Sequence, residues 1–268
     1  MPSYFDDDSM LRQVIREWVV AFSGPRALLL QAAHPVAFAG FFAHTGALAD
    51  PYARLRRTAQ VMDTIAWGPR AEADRVTRRV RAMHRRVRGE LSEPAGRYPA
   101  GTPYAADDPA LLLWILASLV DSAVLVYERY VRGLSRAEKD ALWEDYKVVG
   151  RLFGLRDGDM PERSADFELY VRDTIASGDL HVTDAARTVA IDIVMHPPAP
   201  SVAKPLVELV NQVTIGLLPR SVRRQYGFAW DPLRGLALRG GAEYTKRLVV
   251  PFVPGRLRYI PQARAAAA

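Results

Sequence analysis

One histidine and a small polar set upstream of it are the residues best placed to do chemistry together. His84 stands in VRAMHRRVRG at 80–89, and Arg54, Arg57 and Thr58 stand in RLRRT at 54–58. The last three are spaced i, i+3, i+4, so on a helix they share one face. Val76, Val80, Met83, Val87 and Leu91 recur at helical spacing, and His84 follows Val80 by four. That spacing predicts an imidazole on an inward, apolar stripe. A histidine there must donate and accept hydrogen bonds in the core or bind a metal. Taken alone, a hydrogen-bonded core histidine and a salt-bridged arginine face are the simpler outcomes. A polar cluster on one inward face and a lone histidine on the next helix is also how a cofactor pocket between helices is built.

Other chemistries find little support. The chain has 268 residues and no cysteine, which excludes disulfides, thiolate ligands, iron–sulfur clusters and a cysteine nucleophile. GxGxxG, the P-loop, GxSxG and HExxH are absent. The five histidines are too scattered for a zinc or di-iron site. His34 and His44 flank a short apolar segment and are candidate pocket residues, with helix-end capping as the alternative. His181 and His196 read as loop residues without a partner pattern. Trp114 and Asp121 lie on a long apolar stretch. A carboxylate there is usually paired, so Asp121 is expected to meet an arginine or to orient a histidine.

The elements that must carry these residues are helices. Ser9 predicts a cap for a helix through Phe22, and Gly24-Pro25 ends it. Pro35 divides the next apolar run into two short helices. Asp50-Pro51 opens a helix over Leu55, Thr58, Met62 and Ile65 that Gly68 closes. The His84 helix runs to about Leu91, and a loop follows to Asp107. Asp108-Pro109 starts a helix to about Val131, and Ser135 with Glu138 forms a capping box for the next. Further helices follow as far as about Leu248. VVPFVPGRLRYIP reads as extended, with a frayed tail from about 262. No alternating run with turn signals suggests a sheet. The expectation is a single all-α, multi-helix domain over 1–268 with a pocket between helices, a globin-like core being one such arrangement.

The chain resembles the family that contains bacterial rubber oxygenase (latex clearing protein) and the fungal MpaB oxygenase. The likeness is carried by QAAHPVAFAGFFAHT at 31–45, RLRRT at 54–58, VRAMHRRVRG at 80–89 and YAADDPALLLWILASLVDS at 104–122, in that order. The resemblance implies a b-type haem, iron protoporphyrin IX, with His84 as the proximal iron ligand. It implies that Arg54, Arg57 and Thr58 lie on the distal side as catalytic groups that stabilise bound oxygen or developing negative charge. Arg54, Trp114, Asp121, His34 and His44 then join His84 as candidate cofactor-binding residues. Rubber oxygenase carries lysine at the position of Arg57 and uses it as a distal ligand. An arginine does not lose its proton in proteins, so an open or water-filled distal position is implied here. The implied reaction is oxygen-dependent oxidation, or oxidative cleavage of a carbon–carbon double bond, in a hydrophobic isoprenoid or natural product. A peroxidase-like or coupling enzyme acting on an aromatic substrate would use the same cofactor. A haem-binding sensor or carrier without catalysis is a third possibility.

The formal net charge is +6 and unevenly placed. Twelve arginines face five acids between Arg54 and Arg97, and from Arg220 onward ten basic residues face two acids. Without a helix-turn-helix, zinc or RNA-binding signature, no nucleic-acid partner is expected. The cations read as solvated helix faces or as partners of an anionic cofactor. The acidic start MPSYFDDDSM does not read as a signal peptide, so a cytoplasmic protein is expected. Pro35 within one apolar run and Asp121 within the other argue against a transmembrane segment. The expected partners are oxygen and a small hydrophobic substrate, and no signal names an electron donor or an oligomeric state.

Overall fold

Caps and prolines set the helix starts. The computed structural model describes residues 2–44 and 50–266, and of 42–44 and 266 the backbone alone. Ser9 accepts a hydrogen bond from the Arg12 backbone ahead of α1 (Met10–Ile15). Then come α2 (Ser23–Ala32), α3 (Pro35–His44) and α4 (Pro51–Trp67), the last capped by Asp50 with proline in its first turn. α5 (Arg70–His84) precedes a two-stranded antiparallel ladder of β1 (Arg88–Glu90) and β2 (Pro103–Ala105). Asp108 caps α6 (Pro109–Tyr130), and the Ser135–Glu138 capping box opens α7 (Arg136–Phe153). Gly154 ends α7 at φ +109°, a left-handed conformation that costs glycine least. α8 (Ser164–Ala176), α9 (Asp184–Met195), α10 (Lys204–Leu217), α11 (Arg220–Gln225) and α12 (Pro232–Tyr244) follow. Two short helices, α13 (Gly255–Arg258) and α14 (Pro261–Ala266), close the described chain. The fold is all-α, with the ladder its one sheet among the described residues.

α6 organises the packing. α2 lies along it, and Leu113, Leu116, Ala117, Val120 and Ala123 bury against Leu11, Val14, Leu142 and Trp143 from α1 and α7. A second core gathers Leu29 and Leu30 of α2, Phe38 and Phe41 of α3, Ala190 of α9 and Val222 of α11 around Trp114. By length and composition α6 would cross a bilayer, but eleven of its residues are buried within the protein. Each buried Val or Leu there contributes about 1.5–3 kcal/mol.

Four features differ from the sequence reading, and one is the stretch from Val249, expected extended, which carries a 3-10 turn over 250–252 and then α13. The first helix breaks after Ile15 and resumes as a 3-10 turn over 18–22, because Glu17 bridges to Tyr259 and its buried carboxylate receives Arg258. α5 stops at His84 rather than near Leu91, because the following residues pair across the ladder. The tail from about 262, expected to fray, is helical to 266, and Gln262 donates to Asp63 of α4 at 2.8 Å.

Candidate functional site

α5 buries a different stripe from the one its valines suggested. Ala73 and Thr77 are its buried residues, while Met83 is 49% exposed. Small side chains let α5 approach its neighbours closely, and the Thr77 hydroxyl is satisfied by the Ala73 carbonyl at 2.8 Å. His84 follows Thr77 by seven, so it sits on that buried side at the last turn of the helix. Its Nδ1 is buried and has no hydrogen-bond partner in the protein. Burial chiefly, and the charge of Arg54 next, push the imidazole below its ordinary pKa, with Asp107 opposing weakly. The ring is therefore held neutral, with a lone pair free.

Arg54 comes from the first turn of α4. Its guanidinium lies 4.4 Å over the Phe41 ring of α3, and its Nη1 is buried without an acceptor. Burial lowers its pKa, and the neighbouring charge of Arg57 adds to this. Arg54 and His84 are thus brought together, each with unmet hydrogen-bonding capacity. Arg57 and Thr58 are exposed on α4, and the Thr58 hydroxyl donates to the Arg54 carbonyl at 3.1 Å. Of the three α4 residues expected to face inward, only Arg54 does. The N-terminal half of α4 is held less deeply than the half that buries Ile65 and Ala66, and Leu55 is exposed with it.

α3 closes the other side. Val36 packs with Val87 and Tyr104. A Cβ on Gly40 would stand 2.6 Å from Val87 Cγ1, so only glycine lets the strap after His84 come this close. A depression of about 450 Å³ beside this strap is lined by Arg79, Ala82, Met83, Arg86 and Val87.

His34 and Trp114 line a separate cavity of about 410 Å³, together with Tyr98, Tyr104, Tyr170 and Asp179 among others. The ring of His34 stands 5.6 Å from that of Tyr98 and 6.4 Å from that of Trp114. The Ala37 N–H donates to His34 Nδ1 at 3.3 Å, which leaves the proton of the neutral ring on Nε2. Burial lowers the His34 pKa against an opposing pull from Asp179. Tyr98 donates to Asp179 at 3.0 Å, and burial and that carboxylate raise the phenol to about 12. Trp114 is 1% exposed and its Nε1 has no acceptor. The walls mix aromatic and aliphatic side chains, and Trp114 Nε1 is an unused donor among them.

Asp121 takes the first of its two expected roles. Arg26 of α2 donates to it at 2.7 Å, to Ser122 at 2.7 Å and to the Leu217 carbonyl at 2.9 Å. It therefore fastens α2 to α6. The side chain of His44 lies outside the described residues. Tyr98, Tyr170 and Asp179 carried no signal in the sequence. They sit in the excursion between β1 and β2, on α8 and in the loop after it, and meet only through the fold.

Residues 12–247 match the family described as ER-bound oxygenase mpaB/B'/Rubber oxygenase, catalytic domain. The chain belongs to this family. The mpaB/rubber oxygenase match takes in both cavities and every helix from α2 to α12. An uncharacterized protein of Mycobacterium tuberculosis and one of Mycobacterium bovis are each 28% identical over 120 residues, 45% of this chain and 44% of the relative. The match thus spans less than half the length of these curated relatives. No solved structure matches the chain.

Proposed function

We propose that this member of the mpaB/rubber oxygenase family is a haem b oxygenase in which His84 ligates the iron. Its substrate is a small hydrophobic, unsaturated molecule of isoprenoid or natural-product type. The observation that carries the reading is two buried, unpartnered atoms, His84 Nδ1 and Arg54 Nη1, on residues near enough for the arginine's charge to depress the imidazole pKa. An orphaned buried polar atom costs about 1–3 kcal/mol, which a bound group would relieve. A neutral imidazole suits iron, and an unmatched guanidinium N–H suits a propionate or a reacting oxygen. Bound haem would supply the oxygen-activating chemistry that the side chains lack.

The protein's own part is to hold and orient. Burial and Arg54 keep His84 unprotonated, so its lone pair stays available. Arg54, fixed over Phe41, offers a hydrogen bond to negative charge as it develops. Arg57 adds charge beside Arg54, and Thr58 ties its hydroxyl to the same turn. Arg79 and Arg86 flank the depression beside His84 and are suited to pair with propionates. The cavity beside Trp114 takes the apolar substrate, with Trp114 Nε1 and His34 Nε2 as donors to an oxygen on it. Whether its double bond is cleaved or merely oxidised is read from the products.

The test is an absorption spectrum of the purified protein loaded with haem, before and after dithionite, with His84→Ala beside it. A Soret band that His84→Ala loses or shifts is the expected outcome. Wild-type occupancy and an unchanged ligand spectrum in His84→Ala would remove the ligand assignment, and a protein that takes up no haem would remove the cofactor. Turnover that requires peroxide rather than oxygen would replace the oxygenase with a peroxidase.

A further inference from the structure

The exposed apolar side chains are not scattered. Of fourteen large hydrophobic residues exposed among the described residues, ten lie between Val202 and Leu257. Leu206 and Leu209 share a face of α10 by their spacing, and Leu233 and Leu236 share one of α12. Leu209 is 60% exposed and Leu233 78%. Phe252 and Leu257, in the segment after α12, are exposed too, at 77% and 68%. Val213 and Leu217 of α10, on the same stripe as its exposed leucines but nearer its C-terminal end, and Ala242 on the side of α12 opposite Leu233, pack on Val126 and Tyr130 of α6. Leu238 and Trp230 occupy the space a Cβ on Gly216 would need, so α10 and α12 are in close contact. α12 therefore turns one side to the core and a leucine-bearing side outward, while the apolar stripe of α10 is covered in its C-terminal half and bare over Leu206 and Leu209.

The same stretch is basic. Between 202 and 257 nine Lys and Arg stand against three acids, which equals the formal excess of +6 of the whole chain. Lys204, Arg220, Arg224, Arg234, Arg239, Arg247 and Arg256 are exposed. Among the described residues, only Arg234 and Arg247 of these are in ion pairs, with Asp231 and Glu243. Apolar side chains interleaved with cations suit an anionic bilayer, where leucine and phenylalanine enter the acyl boundary and arginine stays with the headgroups. A second copy of this chain would bring like charges face to face. A nucleic acid would gain nothing from the leucines.

We infer that the exposed face of α10, α12 and the segment to Leu257 is a peripheral docking surface for an anionic lipid bilayer. The surface is independent of the haem reading and stands or falls without it. The attraction is electrostatic at long range and apolar at contact, so charge and leucines should be separable in their effects.

Sedimentation of the full chain with vesicles of phosphatidylcholine alone, and of phosphatidylcholine mixed with phosphatidylserine, tests this. Binding to the mixed vesicles is expected to be about tenfold tighter or more, and to weaken as salt rises. Arg239→Glu with Arg256→Glu should abolish the preference for phosphatidylserine. Leu233→Ser with Leu236→Ser should weaken retention on mixed vesicles in high salt, where charge is screened. These positions are exposed, and an unchanged thermal melt confirms that each variant is folded. Failure to bind either vesicle overturns the inference. So does a dimer that Leu233→Ser with Leu236→Ser dissolves in a protein that leaves vesicles alone, which would assign the surface to a second copy.

Discussion

At the scale of single residues, burial decides what each histidine can do. His34 is kept neutral by burial, with Asp179 holding it back from a larger shift. In the unfolded chain it takes a proton near pH 6.5. The unfolded state thus binds more protons between the depressed folded pKa and about 6.5, so stability rises with pH across that window. The contribution is complete above about pH 6.5 and lost as pH falls through the window. Chemical denaturation at a series of pH values should show this slope, and His34→Gln should reduce it, leaving the part that His84, depressed in the same direction, contributes. An equal slope in His34→Gln would mean that another group titrates there. Asp179→Asn should lower the His34 pKa further, as seen by NMR, because the carboxylate now raises it. His84 and Arg54 stand out by helical spacing and by the family resemblance, although the valine stripe that points to His84 is not the one α5 buries, which runs through Ala73 and Thr77. The sequence is silent on Asp179, a loop residue 81 positions from Tyr98, whose carboxylate matters only once the loop folds against the β1–β2 excursion.

At the scale of elements, the His84 site depends on how near α3 comes to the strap after α5. Gly40 sets that approach, since Val87 Cγ1 occupies the space a Cβ would need. Gly40→Val should force the strap or α3 outward, at a cost of about 1–3 kcal/mol. Its larger effect is expected on the site. If the proposed haem site is correct, haem affinity should fall in Gly40→Val while the far-UV circular dichroism keeps its helical shape. A variant that binds haem as tightly as wild type would show that the approach of α3 is irrelevant to His84. Helix starts were legible because capping and proline chemistry is local, as at Asp50-Pro51, Asp108-Pro109 and Ser135 with Glu138. The end of α5 was not. Val87 and Leu91 continue its helical pattern, yet the ladder with Pro103–Ala105 draws Arg88 onward out of the helix. Pairing with a strand fifteen residues away leaves no mark on a periodicity.

At the scale of the whole molecule, the two ends of the described chain are clamped together. Glu17, 2% exposed, receives two hydrogen bonds of 2.7 Å from Arg258, and the Ile260 N–H donates to the Arg16 carbonyl at 2.9 Å. Arg258 lies beyond the 12–247 family match, so this closure is carried by the segment after the oxygenase core. No local rule predicts it, because a carboxylate at the end of an amphipathic turn reads as solvated until its partner arrives from 241 residues away. A buried carboxylate that loses its only cation is strongly penalised, so Arg258→Ala should destabilise the protein by about 3–5 kcal/mol in urea denaturation. Arg258→Lys should recover only part of that, since an ammonium cannot reproduce the two-point contact. Glu17→Gln combined with Arg258→Met removes the uncompensated charge and should recover more than either partner's loss alone predicts. Additive effects of the two substitutions would mean that the pair is not coupled, and that the chain ends are held by the backbone bridge and by Gln262 on Asp63 instead.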